Sequence, residues 1–164
     1  MGEPEVDPFR KGERMGTPYR MLLVEDDRNL AVAIRMALPA DRWEVHVAPQ
    51  LGDALQALRV LPAPDVIVTE LALFEGPPVA HLFEELARTP ALASIPVVAV
   101  SGWERALEVA AFYGIPAERV LPKPLDLRHL AAVLDASVGP VPGLKAPHRV
   151  PVSADVPHRT GADY

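Results

Sequence analysis

Cysteine is absent from the 164 residues, which excludes disulfides and thiolate metal sites and fits a reducing compartment. No apolar run approaches the ~20 residues that a membrane-spanning helix needs. The first twenty residues are charged and lack the apolar centre of a secretory signal. Met1-Gly2 opens like a myristoylation site, but Val6 stands where Ser or Thr is required. Basic charge is also short. The formal net charge is −6, so broad affinity for nucleic acid is not expected. Lysine is scarce in particular, since thirteen of the sixteen basic residues are Arg. These absences lead to the expectation of a cytoplasmic protein with no membrane contact and no direct DNA binding.

The one residue in excess is proline, with 19 copies, many of them outside the apolar segments. Residues 1–19 carry Glu3, Glu5, Asp7, Arg10, Lys11, Glu13 and Arg14 and little apolar content, so a flexible arm is expected there. From Gly139 to the end, Pro140, Pro142, Pro147, Pro151 and Pro157 interrupt any apolar period, and a disordered or extended tail is expected over 139–164. The Pro-His-Arg tripeptide at 147 and again at 157 is too short to define a repeat. One folded domain is left, over 20–138.

Within it, Val66-Ile67-Val68-Thr69-Glu70 is a short apolar run, rich in β-branched residues, that stops on an acid. Pro62 and Pro64 precede it, and Gly76, Pro77 and Pro78 follow. It predicts a buried central strand with a carboxylate at its carboxyl end. Met21–Val24, Trp43–Ala48, Pro96–Val100 and Arg119–Leu121 predict four further strands. His46, inside the second, is expected to be a half-buried strand residue and not a ligand.

Helical stripes lie between and after the strands. They are Leu30-Ala33-Ile34-Ala37-Leu38, Leu51-Ala54-Leu55-Leu58, Val79-Leu82-Phe83-Leu86-Ala87, Trp103-Ala106-Leu107-Ala110-Ala111 and Leu127-Leu130-Ala131-Leu134. Asp26 or Asp27 is expected to cap the first helix, Pro77 or Pro78 to start the third, Gly114 to end the fourth and Asp126 to cap the fifth. Near-continuous apolar strands alternating with helices predict an α/β fold with a doubly wound parallel sheet of five strands and five helices.

In such a sheet the carboxyl ends of the strands form the ligand edge. That edge gathers Glu25 and Asp26, Glu70, Ser101 and Lys123. Clustered carboxylates repel unless a hard cation or a lysine sits among them, and a hydroxyl with an ammonium suits phosphoryl oxygens. Lys123, one of few lysines and set between Pro122 and Pro124, suits a point contact.

The residues Leu23-Val24-Glu25-Asp26-Asp27, Pro64-Asp65-Val66-Ile67-Val68-Thr69-Glu70, Val98-Ala99-Val100-Ser101-Gly102 and Leu121-Pro122-Lys123-Pro124 resemble the receiver domain of bacterial two-component response regulators. The resemblance covers about residues 20–138. It implies strand order 2-1-3-4-5 and a Mg²⁺ site on Glu25 and Asp26 with Glu70. It also implies an acceptor carboxylate at the end of the third strand, a signalling hydroxyl at Ser101, a phosphate contact at Lys123, and a cis bond before Pro124.

Two positions depart from the pattern. The acceptor position holds Glu70 instead of Asp, and Asp65 lies at the wrong end of its strand to replace it. The aromatic expected three residues before the lysine is Val120. One extra methylene moves a carboxylate by ~1.5 Å, more than in-line attack tolerates. Mg²⁺ binding is therefore expected to be weak or absent unless Glu70 folds back toward Glu25 and Asp26.

The expected function is that of an atypical receiver, a non-enzymatic protein-interaction module in bacterial signal transduction that works independently of phosphorylation. The alternatives are a phosphorylatable receiver in a phosphorelay and a Mg²⁺-dependent phosphohydrolase on the same acidic edge. No second acid pair, catalytic His or glycine-rich loop supports the hydrolase. The expected partner is a protein, or a second copy in a homodimer. It would bind through the tails or the face built by the fourth and fifth helices and the fifth strand, where Trp103 and Tyr113 could supply aromatic contacts. Phe112 is expected in the core.

Overall fold

The computed structural model describes residues 17–72 and 78–138. The expectations for most of the arm, for Pro77 and for the proline-rich tail lie outside the described residues. Five strands are present: β1 (Tyr19–Val24), β2 (Trp43–Ala48), β3 (Val66–Glu70), β4 (Val97–Ser101) and β5 (Val120–Pro122). They form one sheet in the order β2-β1-β3-β4-β5, and every neighbouring pair is parallel. The helices are α1 (Arg28–Ala37), α2 (Leu51–Val60), α3 (Ala80–Arg88), α4 (Ala106–Phe112) and α5 (Leu127–Val138).

Strand period two divides the core between the two faces of the sheet. Leu22, Val24, Ile67 and Ala99 pack with Leu51, Leu58, Leu82, Phe83 and Val109 from α2, α3 and α4. Met21, Leu23, Val66, Val68, Val100 and Leu121 pack with Ile34, Leu130 and Leu134 from α1 and α5. Both faces are covered, so the inner strands carry no polar alternation, and β3 and β4 are buried at every residue.

Local chemistry sets the helix ends. Asp27 Oδ1 accepts from the N–H groups of Asn29 at 2.9 Å and Leu30 at 3.1 Å, the N-cap geometry that fixes where α1 starts. Asp126 Oδ1 does the same for α5, accepting from Arg128 N–H at 2.9 Å. At the end of α4, Gly114 has φ +74°. Its N–H donates to Ala111 O, and Ile115 N–H donates to Ala110 O at 2.8 Å. That is a Schellman ending, which needs the left-handed residue.

The structure differs from the sequence-based expectations in a few places. β1 begins at Tyr19, inside the stretch expected to be arm. Arg119 belongs to a short 3-10 turn, Ala117–Arg119, and not to β5. Pro78 precedes α3, whose N-cap is Val79. His46 is exposed, not half-buried, because β2 is an edge strand of the sheet. α4 starts at Ala106 and buries Ala106, Val109 and Ala110, whereas Leu107 is 58% exposed.

Candidate functional site

The register brings the ends of four strands to one edge. Val24 lies beside Thr69, Glu70 beside Val100, and Ser101 beside Pro122. The last residues of β3 and β4, Glu70 and Ser101, therefore stand at the same edge as Glu25 and Lys123, which follow β1 and β5, and the four residues expected from sequence meet there. Glu25 is 2% exposed, Ser101 3% and Glu70 6%. The Lys123–Pro124 peptide is cis.

The centre of the site is an ion triad. Lys123 Nζ lies 3.0 Å from Glu25 Oε2 and 3.0 Å from Glu70 Oε2. The other oxygen of each carboxylate is also engaged. Glu25 Oε1 accepts from Asp27 N–H at 2.9 Å, and Glu70 Oε1 accepts from Ala72 N–H at 2.9 Å. Each buried acid thus has a charged partner on one oxygen and a loop amide on the other, the satisfaction that burial of a carboxylate demands. The sequence could not reveal those two amides, because they depend on the path of the loops after β1 and β3. The spacing offers a weak signal for them, an acid two residues before the donor in both loops.

The protonation equilibria follow from this arrangement. Burial raises the Glu25 pKa above its ordinary value, opposed by the Asp27 N–H and by Lys123 and reinforced by nearby Asp26. For Lys123, burial pulls downward, but the bonds and charges of Glu70 and Glu25 together outweigh it, and the pKa is raised. Both directions favour the protonated form of the group concerned. The pocket holds more negative charge than one ammonium neutralises.

Ser101 is tied in differently. Its Oγ accepts from Trp103 N–H at 3.2 Å, and its carbonyl accepts from Lys123 N–H at 3.2 Å. Among the described residues no hydrogen bond joins Ser101 to Glu70. The backbone bond ties the end of β4 to the lysine loop. Thr69, fully buried, donates its hydroxyl to the Glu70 carbonyl at 2.9 Å, a contact the sequence did not flag. Val120 is half-buried and packs with Trp103 against the α2–α3–α4 core. Asp65 sits at the opposite end of the sheet, where its carboxylate accepts from Arg20 N–H at 2.8 Å.

The Mg²⁺ set implied by the resemblance does not assemble from these residues. Asp26 is exposed, and among the described residues no three acidic, histidine or cysteine side chains are grouped to hold a metal. Mg²⁺ asks for near-octahedral oxygens at ~2.0–2.1 Å, while both buried carboxylates already point an oxygen at the same ammonium. The donor set does not fit the ion.

The expected aromatic face needs two corrections. Tyr113 is buried, 8% exposed, and stacks on Phe83 with ring centroids 3.9 Å apart. Phe112, expected in the core, is 40% exposed. Tyr113 follows buried Val109 and Ala110 by four and three residues and so shares their face of α4, which leaves residue 112 on the rim. Trp103 is half-exposed, with the Arg105 guanidinium 6.0 Å from its ring centroid. A cleft of about 310 Å³, lined by Arg20, Leu22, His46, Leu58, Leu61 and Pro64 among others, opens at the amino end of the sheet, away from this site.

No family model and no curated protein matches the chain. Solved structures do. A response regulator receiver protein from Sinorhizobium medicae superposes with a TM-score of 0.63 at 22% identity, over 74% of this chain and 94% of that one. The signal receiver domain of a DNA-binding response regulator from Colwellia psychrerythraea gives 0.61 at 24%, over 72% and 96%. The receiver domain of a Francisella response regulator gives 0.61 at 20%, over 73% and 96%. The fold of this chain is that of a response-regulator receiver domain. Among the described residues no helix is long and apolar enough to cross a membrane.

Proposed function

We propose that this chain is a receiver-type module of bacterial signal transduction that works in the cytoplasm through protein contacts, independently of phosphorylation and without catalysis. The observation that carries the reading is the state of Glu70. Its carboxylate stands where the fold's acceptor would be, yet one oxygen is paired with Lys123 and the other with Ala72 N–H. In-line attack needs an oxygen placed finely on the phosphodonor; the extra methylene displaces the Glu70 carboxylate from where an aspartate would hold it, and its two bonds keep both oxygens in that position. Val120 adds to this, since a branched aliphatic packed against the core has no ring to change rotamer with the state of the site.

For the output surface, the reading favours α4, β5 and α5. Leu107 and Phe112 are exposed apolar residues on α4, and Trp103 lies half-exposed at its start. Apolar and aromatic side chains in this setting suit a protein partner or a second copy of the chain. Tyr113 takes no part, being buried.

The test is incubation with acetyl phosphate and Mg²⁺ followed by intact-mass measurement. The expected result is no added phosphoryl group, under conditions in which a receiver with an aspartyl acceptor is labelled. Stoichiometric labelling abolished by Glu70→Gln would replace this reading with that of a phosphorelay receiver. A partner isolated with the full chain should keep its affinity for Glu70→Gln and lose it for Leu107→Glu.

A further inference from the structure

The counter-charge that the acidic edge requires is supplied by the chain itself. We infer that the Lys123 ammonium is the resident cation of this pocket, and that folding and closure of the site neither require nor respond to a divalent ion. The inference rests on the receiver reading only for the choice of ion to compare.

Three observations carry it. Nζ is equidistant from Glu25 Oε2 and Glu70 Oε2, at 3.0 Å from each. An ion bound to both oxygens at ~2.0–2.1 Å would stand against the ammonium, cation on cation. The remaining oxygens are held by Asp27 N–H and Ala72 N–H, so turning either carboxylate toward an ion breaks a loop hydrogen bond as well as an ion pair. The third acid, Asp26, stands beside Glu25 but is exposed, and the ion pairs of Lys123 among the described residues go to Glu25 and Glu70.

The two buried carboxylates carry −2, and the ammonium offsets half of it from within the pocket, while exposed Asp26 adds its charge beside Glu25 from the solvent side. The ammonium also does a structural task, because its two ion pairs join the loop after β1 and the end of β3 to the loop after β5. Its own backbone N–H adds the end of β4.

The experiment compares the full chain with Lys123→Met in thermal melting, in EDTA and in millimolar Mg²⁺ or Mn²⁺. The wild type should melt at the same temperature in all three. Lys123→Met should melt lower in EDTA and regain part of the loss with either ion. Mn²⁺ added to the labelled wild type supplies a readout that does not depend on the variant folding. Amide signals of Asp26, Asp27, Asn29 and Ala72 should keep their intensity relative to the rest of the domain. Selective broadening of those amides at low Mn²⁺, or a wild-type melting temperature raised by Mg²⁺, would overturn the inference. A metal response without phosphodonor labelling would sink this inference alone, whereas labelling would sink the functional reading.

Discussion

Removing the ammonium at Lys123 isolates what the triad contributes to stability. At 3.0 Å each ion pair has a Coulomb attraction of about 5–6 kcal/mol at an effective dielectric of about 20. Desolvation of three charged groups returns most of that gross attraction. The measurable quantity is what happens when one member is removed and the others stay buried, and for a buried pair that costs about 3–5 kcal/mol. Lys123 keeps 26% of its side chain exposed, which places Lys123→Met toward the lower end, at about 3 kcal/mol. The assay is equilibrium urea unfolding at neutral pH in EDTA, with Arg42→Met as comparison. The Arg42–Asp135 pair is as short, at 2.9 Å, but its side chains are 47% and 49% exposed, so its loss should cost at most about 1 kcal/mol. Adding Glu70→Gln to Lys123→Met should recover part of the loss, because a neutral amide replaces an unpaired buried charge. If Lys123→Met and Arg42→Met cost the same small amount, the triad is an ordinary surface ion pair and the reasoning fails.

The pH dependence has two arms. The Glu25 pKa is raised in the folded state, so the native protein holds this proton more tightly than the unfolded chain, and Glu25 adds stability as pH falls through its folded pKa toward the ordinary value of 4.5. Glu25→Gln should flatten the unfolding free energy across that window. The Lys123 pKa is also raised, so its contribution is complete below the ordinary value of 10.5 and is lost as pH rises through the folded value. The Lys123→Met variant should lack that alkaline step. Among the described residues the buried Tyr113 hydroxyl has no hydrogen-bond partner. Tyr113→Phe keeps the stack on Phe83 and should stabilise the domain by about 1 kcal/mol in urea unfolding. Leu134, fully buried on α5, should cost about 2–5 kcal/mol as Leu134→Ala in the same assay.

Much of the fold could be read because its signals are local and repeated. β2 and β3 have the predicted bounds, since branched runs end on proline, glycine or acid in each case. The strand order came from the receiver resemblance, and the topology agrees with it. α4 was harder. Its sequence, ALEVAAF, places alanine on every side, so apolar spacing alone cannot distinguish a core through Leu107 and Ala111 from one through Val109 and Ala110. Two local bonds settle where the chain turns: Trp103 N–H is held by Ser101 Oγ, and Trp103 O accepts from Ala106 N–H. The exchange of Phe112 and Tyr113 has the same origin. Gly114 was recognised as a cap, but the face of α4 was not, and with Val109 and Ala110 buried the residue three and four places on, Tyr113, goes inward and Phe112 does not. At the candidate site, the members were legible as acids and a lysine at strand ends. Their pairing was legible in part: Lys123 or Ser101 was the expected partner of Glu70, and Lys123 takes it, but the loop amides that hold the other carboxylate oxygens are not placed by a sequence.

The central claim is that the Glu25–Lys123–Glu70 triad holds the receiver fold in one state that a phosphodonor does not shift. A ligand moves a two-state equilibrium only by its differential affinity for the two states. The most direct test is an amide NMR spectrum of the full chain before and after addition of Mg²⁺ with beryllofluoride. The account predicts an unchanged spectrum, with Ser101, Gly102 and Lys123 in their original positions. Widespread shifts across β4, α4 and β5 would reveal a second state reached through Glu70 and would contradict it.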